Sequence, residues 1–281
     1  MTERTPGAAM PLASDRVAEV LVRIVETRRR RVVGGGLGLG PPPAASPSFL
    51  ESFAPGANRF LGALHARAGR AVIAEVKMGS PRLGSLEGRV DPLAQAQIYR
   101  DGGAAALSVV VEPDFFHGSY ELLARCREVS GLPAIAKDFV VDPVQLSWAA
   151  EAGADAVLLV AALYDRETLH RLAARARSLG LVPLVETHDP ADLGLLDGAG
   201  WELVGVNNRD LRTFEVDLAH AEAMAPRLPA TALRVAESGI AGAADVERLR
   251  RAGFGAFLIG ESLLLAEDPA AQLAALVGAE T

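Results

Sequence analysis

The sequence of 281 residues predicts an α/β protein of the (β/α)8 class, a TIM barrel, preceded by an N-terminal helical extension. Three observations carry that expectation. From Ala71 onward, eight short apolar runs alternate with segments of helical periodicity. Those runs are continuously apolar, as strands are when both faces of a parallel sheet are covered. Three junctions also resemble one another: RDGGAAALSVV, EAGADAVLLV and RAGFGAFLIG each pass from a helix end through glycine into a strand. An open doubly wound sheet is the alternative arrangement, and the count of eight favours closure.

Taken in order, residues 1–13 are small or polar and are expected to be disordered. Val17, Val20, Leu21, Ile24 and Val25 then recur at helical spacing, with Ser14 and Asp15 as caps. Arg28, Arg29, Arg30 and Arg31 close this helix and suit its negative dipole end. A solvated helix terminus is the expected state, an anion-binding patch the alternative. GGGLGLGPPPAASPS (34–48) is a linker, and its glycines neither follow a strand nor open a helix, which excludes a dinucleotide site. SFLESF and ANRFLGALHAR supply short helical pieces, so the extension runs over 14–65 and forms one structural domain with a barrel over 66–281. The barrel strands are expected at 71–77, 104–111, 133–138, 155–160, 181–186, 203–208, 233–237 and 255–260. Asp-Pro at 91–92, 142–143, 189–190 and 268–269 places a capping carboxylate before an N1 proline at four helix starts.

Composition narrows the function. A formal charge of −7 leaves no basic excess for nucleic acid. The single cysteine, Cys126, rules out an internal disulfide or a Cys-rich metal site and reads as a buried helix residue. No apolar run has membrane-spanning length, and the N-terminus lacks a secretory segment, so a cytoplasmic protein is expected. His65, His117, His170 and His220 show no metal-ligand spacing, and neither a metal nor another cofactor is expected. Trp148 and Trp201 read as packing residues.

Barrel enzymes place reacting groups at the C-terminal ends of the strands. Those ends here hold Glu75 and Lys77, Ser108 and Glu112, Lys137 and Asp138, Glu186 and His188, Asn207 and Arg209, Glu237 and Ser238, and Gly260 and Glu261. Only the fourth strand ends without an ionisable side chain. Glu75 and Lys77, two residues apart, face the same side of a strand. Any one of these residues is equally accounted for as half of a structural ion pair. Two lysines and three glutamates around one mouth are harder to explain that way, because they would tune one another's pKa values and supply acid and base together. SGI (238–240) and IGES (259–262) lie where barrels bind phosphate through backbone N–H groups, and Lys77 and Ser80 would complete such a site. A tight turn accounts for either glycine taken alone.

The motifs IAEVKMGSPRLG, ALSVVVEPDFFHGSYELL, LPAIAKDFVVDPVQL, GADAVLLVAAL, LGLVPLVETHD, LVGVNNRDLRTFEVDL, VAESGI and FLIGESLL resemble, in order and spacing, those of the indole-3-glycerol phosphate synthase family. The resemblance covers the chain from about Ser14 onward. It implies a lyase that closes a pyrrole ring in 1-(2-carboxyphenylamino)-1-deoxyribulose 5-phosphate, with loss of carbon dioxide and water, as a step of the biosynthesis of tryptophan or a related indole. A monomer or weak homo-oligomer is expected, with other tryptophan-pathway enzymes as candidate partners. Lys137 matches the family's general acid and Glu186 its general base in dehydration. Glu75 and Lys77 match an acid and lysine that shape and charge the site. Asn207, Arg209, Glu237 and Ser238 match residues around the substrate, with Phe139 and Leu258 as further substrate-binding residues. Ser80, Gly239, Gly260 and the backbone of Glu261, with Lys77, match the phosphate pocket.

One departure stands out. The family's first loop reads K-x-x-S-P-S-[KR]-G, whereas this chain has KMGSPRLG, with Arg82 at the second serine and Leu83 at the basic position. The rival readings are another phosphate-binding barrel, either a phosphoribosylanthranilate isomerase or a Schiff-base aldolase, and a barrel that has become a non-catalytic subunit.

Overall fold

The computed structural model describes residues 18–33 and 58–278. The expected disordered N-terminus, the caps Ser14 and Asp15, the linker 34–48 and the SFLESF piece lie outside those residues.

Eight strands form a closed parallel barrel. They are β1 (Ala71–Val76), β4 (Ala106–Val110), β5 (Ala134–Lys137), β6 (Ala156–Val160), β7 (Val182–Thr187), β8 (Leu203–Asn207), β9 (Leu233–Glu237) and β10 (Ala256–Ile259). They neighbour one another in chain order, and β10 returns to pair with β1. The observed strands are a residue or two shorter than expected at most ends, and β7 extends one residue further, through Thr187. Between β1 and β4 the loop contains a small antiparallel ladder, β2 (Gly79–Ser80) with β3 (Gly84–Ser85).

Apolar side chains occupy the barrel interior and the layer under the helices. Ile73, Leu107, Ile135 and Leu159 are fully buried, each contributing about 1.5–3 kcal/mol through removal from water. Cys126 is buried too, and burial pushes its thiol up to about 12. Three of the four Asp-Pro pairs cap helices as expected. Asp91, Asp189 and Asp268 accept N–H bonds at the starts of the helices Pro92–Asp101, Pro190–Gly194 and Pro269–Val277, with proline in the first turn. At 142–143 the pattern is displaced by one residue. Pro143 is itself the cap of the helix Val144–Glu151, and Asp142 Oδ1 accepts from Val144 N at 2.8 Å.

Helix α1 (Glu19–Val33) reaches from one loop at the barrel mouth to others. Ala18 N donates to Leu211 O after β8 at 2.7 Å, and Arg31 pairs with Asp114 after β4 at 2.6 Å. Arg23 lies over the Phe115 ring. Arg28 corrects the expectation of a solvated terminus: it is fully buried. Its Nε and Nη2 donate to the two carboxylate oxygens of Asp138 at 3.0 and 2.5 Å. Asp138 follows Lys137 in β5, so a strand that turns Lys137 inward turns Asp138 outward, under the extension. Buried there, its charge requires a partner.

Candidate active site

The C-terminal ends of the barrel strands gather the expected acid–base residues. Glu75, near the end of β1, places Oε1 2.9 Å from Lys77 Nζ and Oε2 2.9 Å from Lys137 Nζ. One carboxylate therefore bridges both ammonium groups. Burial pushes Glu75 upward, but the charges of Lys137 and Lys77 outweigh it and hold the carboxyl at about 2. For Lys137 the same balance runs the other way. Burial favours the neutral amine, and the charges of Glu75 and then Glu186 reverse that and raise its pKa above the usual lysine value.

Glu186 and Glu237 form the opposite side. Burial opposes ionisation of Glu186, but His188, with Nε2 3.0 Å from Glu186 Oε1, then Lys137 and the Asn207 side chain bring it to about 2. Glu237 is pushed well above the carboxylate range by burial and then by the negative charge of Glu186. Neither Glu237 oxygen has a hydrogen-bond donor among the described residues. As a neutral carboxylic acid it becomes a donor itself, and the cluster closes on two lysine charges against Glu75 and Glu186.

Two glycines make this packing feasible. A Cβ at Gly205, within β8, would lie 2.2 Å from Glu237 Oε1, and one at Gly260 would lie 2.4 Å from Glu75 Oε1. Gly260, expected only as part of a phosphate pocket, thus also leaves space for the bridging carboxylate. Gly205 was not singled out from the sequence. Its signal is a glycine inside the strand LVGVN, which marks a close approach.

At the end of β9, Ser238 (φ 64°) and Gly239 (φ 79°) are successive left-handed residues. A serine there is costly and persists because its surroundings hold it. Asn208, also overlooked in the sequence, supplies the hold. Its Nδ2 donates to the carbonyls of Glu237 and Ser238 at 3.0 and 3.1 Å, and Oδ1 accepts from Ala221 N at 3.1 Å.

The remaining expected residues divide. Asn207 Oδ1 accepts from Arg209 N at 3.0 Å, and Arg209 Nη2 lies 3.7 Å from Glu261 Oε2. Ser80 turns its Oγ to Leu83 N at 3.0 Å and so braces its own loop. Phe139 is half-buried with its ring 6.3 Å from that of Phe116. Leu258 is buried in the barrel core in register with Ile73 and Glu237.

Two strand-end candidates do not join the cluster. Glu112 accepts the N–H groups of Asp114, Phe115 and Phe116 and shapes the loop after β4. Asp138 accepts from Arg28, from Tyr120 Oη at 2.9 Å and from Gln145 Nε2 at 2.9 Å. A cavity of about 550 Å³ lies instead at the N-terminal ends of the strands. Its one carboxylate, Glu202, is engaged by Arg177 at 2.7 Å. Among the described residues no group of three or more His, Cys, Asp or Glu side chains could hold a metal ion, and no helix is long and apolar enough to cross a membrane.

The mouth therefore offers a protonated lysine, ionised and neutral glutamates side by side, and a strained turn between strands: acid and base within one small space. Comparison with known proteins gives that chemistry a family. Among solved structures the fold is similar to 3-hexulose-6-phosphate synthase from Salmonella typhimurium (TM-score 0.58, 16% identity, 74% of this chain and 97% of that one). It is also similar to thiamine phosphate pyrophosphorylase from Pyrococcus furiosus (TM-score 0.55, 16% identity, 75% and 95%). At that identity the likeness is one of fold.

Closer relatives are proteins named indole-3-glycerol phosphate synthase. The one from Koribacter versatilis is 45% identical over 76% of this chain and 82% of its own length. The one from Azoarcus sp. is 41% identical over 93% and 100%. The family model for indole-3-glycerol phosphate synthase matches residues 45–276, and the chain belongs to that family.

Proposed function

We propose that Lys137 and Glu186 are the acid and the base with which this lyase closes the indole ring of indole-3-glycerol phosphate. The observation that carries the assignment is the Glu75 carboxylate shared between Lys77 and Lys137 at 2.9 Å each. Attack of the aryl carbon on the substrate ketone forms the new carbon–carbon bond and builds negative charge on the ketone oxygen. A fixed ammonium lowers that barrier, and Lys137, held positive by the Glu75 and Glu186 carboxylates, gives its proton to an alkoxide far more basic than itself.

Loss of carbon dioxide then restores the aromatic ring and leaves its electron pair there. In the final step the hydroxyl leaves as water, which takes one proton to the departing oxygen and one removed from the ring system. Glu186 accepts the second, and Lys77, on the other oxygen of Glu75, is the second ammonium in place to supply the first. Glu75, Glu237, Asn207 and Ser238 set the charge and spacing of these groups. The aromatic ring of the substrate lies against Phe139, with Leu258 beneath the cluster and Arg209 at the rim. Phosphate is held by Ser80, Lys77, Gly239, Gly260 and the backbone of Glu261.

A Schiff-base aldolase needs a lysine whose pKa is lowered. Lys137 is pushed in the opposite direction, which supports the acid role. We further take the protein to act in the cytoplasm, as a monomer or weak homo-oligomer.

The test is incubation with 1-(2-carboxyphenylamino)-1-deoxyribulose 5-phosphate, following indole fluorescence and released carbon dioxide. Borohydride is added to a parallel sample and read by mass spectrometry. Product formation with no adduct on Lys137 is expected; a Lys137 adduct, or no indole product, would overturn the assignment.

A further inference from the structure

The first loop carries Arg82 and Leu83 where the family pattern has serine and a basic residue, and both find partners across the barrel mouth. Arg82 Nη2 lies 2.5 Å from Glu261 Oε1, while Arg209 Nη2 approaches Oε2 of the same carboxylate at 3.7 Å. One glutamate thus receives guanidinium groups from two loops, those after β1 and β8. Leu83 lines a groove with Leu86, Arg89, Val90, Leu264 and Leu265, and its N–H is held by Ser80 Oγ. Ion pair and groove together dock the loop on the segment that follows β10.

We propose that Arg82 is a substrate-binding residue, which passes from the Glu261 carboxylate to the substrate phosphate when the phosphorylated substrate enters. This rests on the reading of the phosphate pocket at Gly239, Gly260 and the Glu261 backbone given above. Three physical points support the exchange. The Arg82 side chain is 61% exposed and that of Glu261 42%, and a pair so open to water is held weakly. A phosphate monoester carries about −1.5 to −2 charges near neutrality, against one for a carboxylate. The guanidinium fork also matches phosphate oxygens in a way a point charge does not. Leu83 cannot supply the positive charge that the family pattern puts at its position. Arg82, one residue earlier, supplies it, and Leu83 in its groove keeps the loop near enough for the hand-over.

The experiment compares wild type, Arg82→Ala, Arg82→Lys, Glu261→Gln and the Arg82→Ala/Glu261→Gln double variant. It measures KM, kcat and the competitive inhibition constant of inorganic phosphate. Arg82→Ala is expected to raise KM and the phosphate inhibition constant together by about tenfold, the loss of one charge-assisted contact, while kcat changes far less. Arg82→Lys recovers part of the loss, and Arg82→Ala costs as much in the Glu261→Gln background as alone. Values for Arg82→Ala within about twofold of wild type would overturn the proposal. So would a loss that vanishes once Glu261 is neutral, since Arg82 would then act only through Glu261. Wild type that forms product but is not inhibited by phosphate would refute the pocket itself. Wild type that forms no indole product would refute the reaction, and this inference with it.

Discussion

Glu75 Oε2 and Lys137 Nζ, separated by 62 residues of chain, meet at 2.9 Å across the barrel mouth. The contact joins the ends of β1 and β5 and gives Lys137 a counter-charge that keeps its proton in place. Glu75 itself is held at about 2. A depressed carboxylate contributes stability above its unfolded value, about 4.3, and that contribution is lost as pH falls toward the folded value. For catalysis the consequence lies at the other end of the scale. Glu75→Gln removes the anion that raises Lys137, so the alkaline fall of kcat should move to lower pH by on the order of one unit. A pH–rate profile checks this, and an unmoved alkaline limb would remove Glu75 from the tuning of Lys137.

Glu237 carries the opposite shift. Its pKa is raised by burial and by Glu186, so the folded protein holds this proton more tightly than the unfolded chain does. The contribution of Glu237 to stability is therefore fully present below about pH 4.3 and declines as pH rises toward the folded value. Glu237→Gln keeps the shape without the titration. Its stability advantage should grow with pH to about 1–3 kcal/mol, while turnover falls. Urea unfolding of both proteins at pH 5 and pH 8 measures it; an advantage that does not widen with pH would contradict the assignment of a neutral Glu237.

The glycines that make room for carboxylates give a steric prediction. Gly260→Ala brings a methyl group to 2.4 Å from Glu75 Oε1, and Gly205→Ala brings one to 2.2 Å from Glu237 Oε1. Neither position has the left-handed backbone that would itself penalise alanine. Each substitution must therefore displace its carboxylate, and kcat should fall by about tenfold or more, the cost of moving a reacting group by a fraction of an ångström to one ångström. Steady-state kinetics on protein with wild-type circular dichroism tests this, and unchanged kcat would show that the carboxylates are free to shift.

Arg28 predicts a stability effect. Its removal leaves the Asp138 carboxylate without its only arginine partner among the described contacts, in a site already dry. Arg28→Ala should cost about 3–5 kcal/mol, and adding Asp138→Asn should return part of it by removing the stranded charge. Denaturant titrations of the single and double variants settle the sign of that coupling.

Much of this architecture is legible in the residues. Continuous apolar runs such as DAVLLV announce buried parallel strands, and Asp-Pro pairs mark helix starts, because both signals are local. The strand-end rule then places Glu75, Lys77, Lys137, Glu186 and Glu237 on one rim before any coordinates. What sequence withholds is anything decided by contacts between distant segments. Arg28 and Asp138 are 110 residues apart, and each alone looks like a solvated helix end or an active-site acid. Glu112 looks like another reactive carboxylate until its oxygens are seen on the N–H groups of its own loop. Arg82 reads as a displaced cation, and only the fold places Glu261 opposite it.

The most direct test of the central claim is single-turnover product formation by Lys137→Ala with 1-(2-carboxyphenylamino)-1-deoxyribulose 5-phosphate. The expected result is a folded protein that still binds this substrate but forms indole-3-glycerol phosphate and carbon dioxide about 10²–10⁴-fold more slowly than wild type. Turnover near the wild-type rate would contradict a mechanism built on the Lys137 ammonium.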